Sequence, residues 1–225
     1  PIVVNDSRGF FTSRTFGTFV GEGLTMLREG IQPQFIDSAA LQAGMPIGPL
    51  AVQDEVSMTL SRKVVDQTRL DLKAEGKDLP VTPAEELTNK MLDEFKREGK
   101  AAGAGFYDYP EKGKKKLWAG LTEHFVKPEV SISLEDAKER ILFRQAIETL
   151  RCFEEGVLTS VRDANIGSIF GIGFAPWTGG AIQYVNQYGV REFYQRSKQL
   201  TEQYGERFEP PAILVEHAEK DALFK

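Results

Sequence analysis

The stretch "GMPIGPL", Gly44–Leu50, places two glycines and two prolines among apolar side chains within seven residues. Surface turns are usually built from polar residues together with glycine and proline, so a turn this apolar is unusual. A second stretch, "GIGFAPWTGG" at 171–180, repeats the composition further along the chain. Because helical patterns flank both stretches, they predict two buried corners at which one helix ends and the next begins.

Apolar side chains at three- and four-residue spacing predict helices on both sides of these corners. The first helix is expected to start from a cap at Asp6 or Ser7 and to end at Gly30. From Leu50 onward, four-residue steps predict one long amphipathic helix with an apolar face that comprises Val52, Val56, Leu60 and Val64.

Capping patterns predict further helix starts at Thr82 and Ser133, because a Ser or Thr followed three residues later by an acidic residue satisfies free backbone N–H groups. The one apolar β-branched run is "PIVVN" at 1–5, which predicts a short N-terminal strand. Nothing else alternates with period two. The predicted fold class is therefore all-α, with this single strand.

The two halves of the chain repeat each other. Adding 126 to a position in the first helix pairs Arg14 with Arg140, Glu22 with Glu148, Leu24 with Leu150, Gly30 with Gly156 and Asp37 with Asp163. With one inserted residue, Gly44 pairs with Gly171 and Pro49 with Pro176. We predict two pseudo-symmetric helical repeats, at 1–125 and 126–225, that bury their apolar faces against each other.

Composition excludes several classes of function. The chain has 225 residues and a net charge of −5, which argues against a nucleic-acid surface. Two histidines (His124 and His217) and one cysteine (Cys152) leave little material for a metal site, and neither histidine lies in a recognisable motif. No apolar run is long enough to span a membrane. A single cysteine favours a reducing compartment, so we expect a cytoplasmic protein.

Several motifs together resemble a known family. "VVNDSRGFFTSR", "AGMPIGPLAVQDEV" and "GAGFYDY" resemble the C-terminal helical domain of the NAD-dependent 3-hydroxyacyl-CoA dehydrogenases. "FGIGFAPWTGGAIQYVNQYG" and "YGERFEPPAIL" resemble the second helical repeat of multifunctional fatty-acid β-oxidation proteins. In those proteins the dehydrogenase follows an enoyl-CoA hydratase/isomerase domain.

The resemblance implies a division of labour. In the family a Rossmann domain binds NAD and supplies a histidine base oriented by a glutamate, and the helical domain closes the cleft over the acyl-CoA. "PIVVND" would then be the last strand of a missing Rossmann domain. The chain has no G-x-G-x-x-G. By itself it is therefore expected to bind no NAD tightly and to be inactive. Thiolase is a further partner implied by the family, and the alternative function is a non-catalytic helical module for dimerisation or docking.

The resemblance also implies site residues. Ser13 stands where the family has an asparagine that positions the substrate, and a shorter hydroxyl could take over one hydrogen bond there. Gly48 and Pro49 would line the acyl end of the cleft, or simply end one helix and set the angle of the next. Ala101, beside Lys100, stands where the family often has a lysine near the cofactor.

Four further groups have two interpretations each. Lys112–Lys116 would meet coenzyme A phosphates or form a solvated loop. The phenylalanines of the first helix would form the core or an acyl wall, and they are Phe10, Phe11, Phe16 and Phe19. Glu22 and Glu148 are expected to pair with arginines across the repeats rather than to act as an acid or base.

Overall fold

The computed structural model describes residues 1–225, which form eleven α-helices and one two-stranded antiparallel sheet. The helices of the first half are α1 Thr12–Glu29, α2 Pro33–Ala43, α3 Pro49–Val56, α4 Met58–Ala74, α5 Pro83–Asp93 and α6 Gly120–Phe125. The strands are β1 Tyr107–Asp108 and β2 Lys116–Leu117. The all-α prediction is confirmed.

The second half contains five more helices, which are α7 Leu134–Glu154, α8 Val161–Ile172, α9 Ala181–Tyr188, α10 Val190–Tyr204 and α11 Ala212–Lys220. Short 3-10 turns lie at Lys100–Ala102, Pro176–Thr178 and Glu206–Phe208. No helix of the chain has both the length and the apolar character needed to cross a bilayer.

The chain forms two compact units. One comprises residues 1–19, 40–46 and 133–225, and the other residues 20–39 and 47–132. In the first unit, the Phe143 ring of α7 stacks on Phe193 of α10 at a centroid distance of 3.9 Å, with Tyr184 and Tyr188 edge-on to it. In the second unit, Arg97 donates to the carbonyl oxygens of Gly105 and Tyr107 and so holds the segment before β1. The division into repeats at 1–125 and 126–225 stays a prediction, since it concerns duplication of sequence.

Residues 1–7 have no regular secondary structure, so the predicted N-terminal strand does not form within this chain, and its place in a Rossmann sheet stays a prediction. A strand needs a ladder of backbone hydrogen bonds to a neighbour. Here Asn5 donates one backbone bond, to the Val157 carbonyl oxygen at 2.9 Å. The Ile2 side chain instead packs against Gly167 of α8, so closely that a β-carbon added at Gly167 would lie 2.6 Å from the Ile2 Cδ1 atom.

Two helix boundaries also differ from the prediction. The first helix begins at Thr12 rather than after Asp6 or Ser7, because Gly9 and Phe10 have φ angles of 77° and 48° and form a turn. The long helix predicted from Leu50 is broken at Ser57, where φ is 78°. Its predicted apolar face is not buried, since Leu60 is 51% exposed and Val64 57% exposed.

The predicted caps at Thr82 and Ser133 are confirmed. Their hydroxyl oxygens accept from the backbone N–H groups of Glu85 at 3.2 Å and Asp136 at 3.0 Å. The predicted equivalence of the first helix ends is also confirmed. Gly30 and Gly156 donate to the carbonyl oxygens of the residues three positions earlier, at 3.1 and 2.9 Å, and both have positive φ.

The equivalence of the two Gly/Pro corners is real, but its predicted register is wrong. Asp37 caps the N-terminus of α3 through Leu50, and Asn165, rather than Asp163, caps α9 through Ile182. Gly48 and Gly180 are the corresponding N-cap residues. The predicted pairing of Pro49 with Pro176 therefore fails, because the second corner contains an additional 3-10 turn at Pro176–Thr178.

Candidate functional site

The corner that contains Gly48 and Pro49 is a tightly packed helix start. Gly48 is the N-cap of α3 and Pro49 its first residue, and both are buried. A β-carbon added at Gly48 would lie 2.2 Å from Cγ of Asp37, and one added at Gly23 would lie 2.3 Å from Cγ of Pro49. The structural interpretation of these two residues is therefore confirmed, and a contact with substrate stays a prediction.

Asp37 connects this corner to the sheet. One of its carboxylate oxygens accepts from the backbone N–H of Leu50 at 2.9 Å, and the other accepts from the Tyr107 hydroxyl at 2.6 Å. Tyr107 lies in β1. The side chain of one aspartate thus holds the start of α3 and the start of the hairpin in fixed register.

Asp54, near the C-terminal end of α3, holds the same hairpin from the other side. Its carboxylate accepts from the backbone N–H groups of Phe106 at 2.8 Å and Tyr107 at 2.9 Å, and from the Tyr109 hydroxyl at 2.9 Å. Gly105 allows this close approach, because a β-carbon there would lie 2.0 Å from the Asp54 carboxylate. The two aspartates and the two tyrosines form one network.

Burial sets the protonation chemistry of this network. Removal from water raises the pKa of Asp37 and of Asp54, and the hydrogen bonds that each carboxylate accepts oppose that rise. Burial, followed by the neighbouring carboxylates, raises the pKa of both tyrosines above its usual range. Both hydroxyl groups are therefore protonated donors at neutral pH.

Sequence reasoning named Asp37 only as a repeat match and did not single out Asp54 or Tyr107. Asp54 and Tyr107 lie within stretches that the family resemblance quoted, "AGMPIGPLAVQDEV" and "GAGFYDY". Their contact spans more than fifty positions in the sequence, which no local pattern reveals.

The glycine-rich segment Gly99–Gly105 forms a turn that includes the 3-10 residues Lys100–Ala102. It leads into a two-residue strand rather than from a strand into a helix, so it lacks the geometry of a dinucleotide-binding loop. Ala101 is exposed on this turn. The neighbouring Lys100 ammonium group pairs with the Glu55 carboxylate at 2.8 Å.

Ser13 is exposed as the second residue of α1. The next residue, Arg14, anchors the start of this helix to α7 through ion pairs with Glu148 at 2.7 Å and Glu155 at 2.5 Å. The hydrogen bonds to Glu155 and the charge of Glu148 raise the pKa of Arg14, so its guanidinium group stays charged. The predicted pairing of Glu148 with an arginine is confirmed, and Ser13 lies beside a fixed point of the backbone.

The phenylalanines at the first helix contribute to the core. Phe11 and Phe19 are buried and Phe16 is half-buried, which confirms a core role, whereas Phe10 is 51% exposed.

Lys112–Lys116 lie on the exposed hairpin, with the Lys115 ammonium group 4.5 Å from the Tyr107 ring centroid. Both histidines stack on aromatic rings, His124 on Phe95 and His217 on Phe224. The chain holds no group of three metal-ligating side chains.

Comparisons with known proteins agree with the fold and the motifs. Residues 9–109 match the family described as "3-hydroxyacyl-CoA dehydrogenase, C-terminal domain". Among curated proteins, the chain is 34% identical to the fatty acid oxidation complex subunit alpha of Shewanella loihica over 231 aligned positions, which cover all of this chain. The subunit of the same name from Vibrio vulnificus is also 34% identical over the whole chain. The chain spans 31% of the length of each relative.

Solved structures share the fold. 3-Hydroxybutyryl-CoA dehydrogenase from Escherichia coli has a TM-score of 0.71 at 18% identity, over 98% of this chain and 62% of that chain. The dehydrogenase part of multifunctional enzyme 1 from C. elegans has a TM-score of 0.66 at 21% identity, over 96% of this chain and 49% of that chain. Residues 9–109 are thus similar to the 3-hydroxyacyl-CoA dehydrogenase C-terminal domain, and the chain shares its fold with both solved structures.

Proposed function

We propose that the chain is the substrate-cleft part of an NAD-dependent 3-hydroxyacyl-CoA dehydrogenase that oxidises 3-hydroxyacyl-CoA to 3-oxoacyl-CoA in fatty-acid β-oxidation. One observation carries the proposal: the similarity to two fatty acid oxidation complex alpha subunits extends over the whole of this chain. The family match at 9–109 supports it, because this range includes Ser13, Gly48 and Pro49.

In this proposal Ser13 contacts the substrate directly. An exposed hydroxyl at the start of a helix can donate one hydrogen bond and accept another. The anchoring of Arg14 by two carboxylates limits the movement of the Ser13 backbone, which is what a positioning contact requires. Gly48 and Pro49 would line the acyl end of the cleft, and as buried residues they also fix where α3 starts.

The cofactor belongs to other residues of the whole protein. The segment Gly99–Gly105 lacks the strand–loop–helix order of a dinucleotide-binding loop, and we propose no NAD contact for it. A Rossmann domain, and a hydratase domain before it, are proposed as parts of the same polypeptide, and the isolated chain is expected to be inactive. Assembly with a thiolase and a cytoplasmic location are likewise proposals from the family resemblance.

The test uses the full-length protein and follows NADH formation at 340 nm with 3-hydroxyacyl-CoA substrates. We expect turnover by the wild type, a loss of about ten-fold in kcat/KM for Ser13→Ala, as one charge-assisted or transition-state hydrogen bond would give, and recovery in Ser13→Asn. A wild type that forms no NADH would refute the proposed function. Rates equal to the wild-type rate in both Ser13 variants would remove Ser13 from the site while leaving the dehydrogenase proposal intact.

A docking module is the second candidate, and two exposed aromatic residues favour it. Phe170 of α8 is 85% exposed and Trp177 is 62% exposed. The Trp177 ring is held in place, because its indole N–H donates to the Ala43 carbonyl oxygen at 2.8 Å. Aromatic side chains, and Trp in particular, are common anchors of contacts between proteins. Light scattering of the full-length protein and of a Phe170→Ser variant, with and without thiolase, tests this role, which can coexist with catalysis.

A further inference from the structure

We infer that Asp37 and Tyr107 are positioning residues for the acyl-CoA site, because their hydrogen bond fixes the Gly48–Pro49 corner relative to the glycine-rich segment Gly99–Gly105. This inference rests on the proposed function. It assigns to the pair the task of keeping the proposed substrate corner in register with that segment.

The contacts form a continuous path. The Gly48–Pro49 corner is followed directly by the Leu50 N–H, which donates to Asp37 at 2.9 Å, and the other oxygen of Asp37 accepts from Tyr107 at 2.6 Å. The Tyr107 carbonyl oxygen accepts from the backbone N–H of Gly105 at 2.8 Å, at the end of the glycine-rich segment. Each step is a buried or half-buried hydrogen bond, so the path is short and stiff.

The second corner shows which part of this arrangement is dispensable for folding. Asn165 accepts from the N–H groups of Ile182 and Gln183, at 3.0 Å each, and so caps α9 as Asp37 caps α3. An amide oxygen is therefore sufficient to build the corner. What the carboxylate adds at Asp37 is a second acceptor oxygen, and that oxygen serves Tyr107.

The two copies differ in one more respect. The hairpin that contains Tyr107 is the only sheet in the structure, and it lies in the first half of the chain. The second corner has no such hairpin to hold. A carboxylate thus occurs at the corner that has a hairpin, and an amide at the corner that has none, as expected if the Asp37–Tyr107 bond serves the site rather than the helix cap.

The test compares Tyr107→Phe with Tyr188→Phe in the full-length enzyme. Both changes remove one hydroxyl that donates to a buried carboxylate, but Tyr188 donates to Glu139 of α7, outside the network of Asp37. For Tyr107→Phe we expect a KM for long-chain 3-hydroxyacyl-CoA raised about five-fold with kcat within about two-fold, the size that one net hydrogen bond gives, and a smaller change with a four-carbon substrate. Tyr188→Phe should leave both KM values unchanged.

Hydrogen exchange by mass spectrometry gives a readout that does not depend on activity. Peptides containing the Leu50 and Ala51 amides should exchange faster in Tyr107→Phe and at the wild-type rate in Tyr188→Phe. Asp37→Asn keeps an amide oxygen that can cap α3, as Asn165 caps α9, and it should raise KM as Tyr107→Phe does. It is the alternative variant if Tyr107→Phe does not fold. Wild-type KM values and wild-type exchange rates in both Tyr107→Phe and Asp37→Asn would overturn the inference. A wild type without dehydrogenase activity would instead refute the proposed function, and the exchange data would still decide whether the pair holds the corner.

Discussion

Gly48→Ala tests the packing of the corner without introducing backbone strain. Gly48 has φ −73° and ψ 152°, which any residue adopts without strain. The new methyl group would lie 2.2 Å from Cγ, 2.3 Å from Oδ1 and 2.5 Å from Cβ of Asp37. All three atoms belong to a side chain that is buried and hydrogen-bonded at both oxygens, so it has nowhere to rotate.

The expected cost in the free energy of unfolding is about 3 kcal/mol. Overpacking a filled interior costs roughly 1–3 kcal/mol. If Asp37 moves aside, its bonds to Leu50 and Tyr107 are lost, each worth about 1 kcal/mol net. For a chain of this size about 1 kcal/mol shifts the melting temperature by roughly 2–4 °C, so a fall of about 6–12 °C is expected.

Chemical denaturation followed by far-ultraviolet circular dichroism measures this change. Gly17→Ala is the matched control, because it adds the same methyl group to α1 at a position where nothing lies within 4 Å. That variant should be stabilised by up to about 1 kcal/mol, since alanine favours the helix over glycine. The same chemical change should therefore have opposite signs at the two sites.

A double-mutant cycle decides whether the steric explanation is right. In an Asp37→Ala background the atoms that the methyl group would meet are gone, so Gly48→Ala should cost less than about 0.5 kcal/mol there. If Gly48→Ala costs the same with and without Asp37, or if it costs nothing in the wild type, the packing of this corner has been misinterpreted.

Three further changes test other features. Ser57→Gly should raise stability by about 1 kcal/mol in thermal melts, because φ at this position is 78° and glycine relieves roughly 1–3 kcal/mol of strain at a smaller entropic cost; Ser57→Ala, which keeps the strain, is its control. Asp37→Asn should gain stability relative to the wild type in denaturant titrations as the pH rises above about 4. The pKa of Asp37 is raised in the folded protein, so the protonated aspartate stabilises the fold at low pH, and this stabilisation is lost as the pH rises through the folded pKa. Arg14→Ala should cost about 1 kcal/mol at pH 7 and less near pH 4, because Arg14 lowers the pKa of Glu155 and that stabilisation disappears as the carboxylate is protonated; a cost that does not change with pH would refute this explanation.

Local patterns predicted helix starts and ends better than helix continuity. The caps at Thr82 and Ser133 follow from side chains that bond within three residues, and sequence spacing captures such contacts. The break at Ser57 left the four-residue apolar pattern intact, since periodicity describes a face and not the backbone that carries it. Leu60 and Val64 then proved to be exposed, which shows that an amphipathic pattern does not say what covers the face.

The sequence predicted where the corner lies, but not which side chains hold it in place. The corner was found because glycine permits unusual backbone conformations and proline restricts φ, and both effects are local. The partner that makes Gly48 necessary is Asp37, eleven positions earlier, and the partner of Asp37 is Tyr107, seventy positions later. Contacts at such separations depend on tertiary packing, which one sequence without its fold does not contain.

The two corners separate what the fold needs from what the first copy adds. Residues 45–47 join the glycine that ends α2 to the N-cap of α3, whereas residues 174–179 make the same connection between α8 and α9. Both lengths are compatible with a side-chain cap from the preceding helix, by aspartate in one copy and asparagine in the other. The cap is thus the common structural requirement. A buried carboxylate costs more to desolvate than an amide, so its presence at Asp37 needs a compensating contact, and the Tyr107 hydroxyl provides it. Loss of that hydroxyl should therefore be felt at the corner and not at the cap of α9, a distinction that hydrogen exchange at Leu50 and Ile182 can measure in the same experiment.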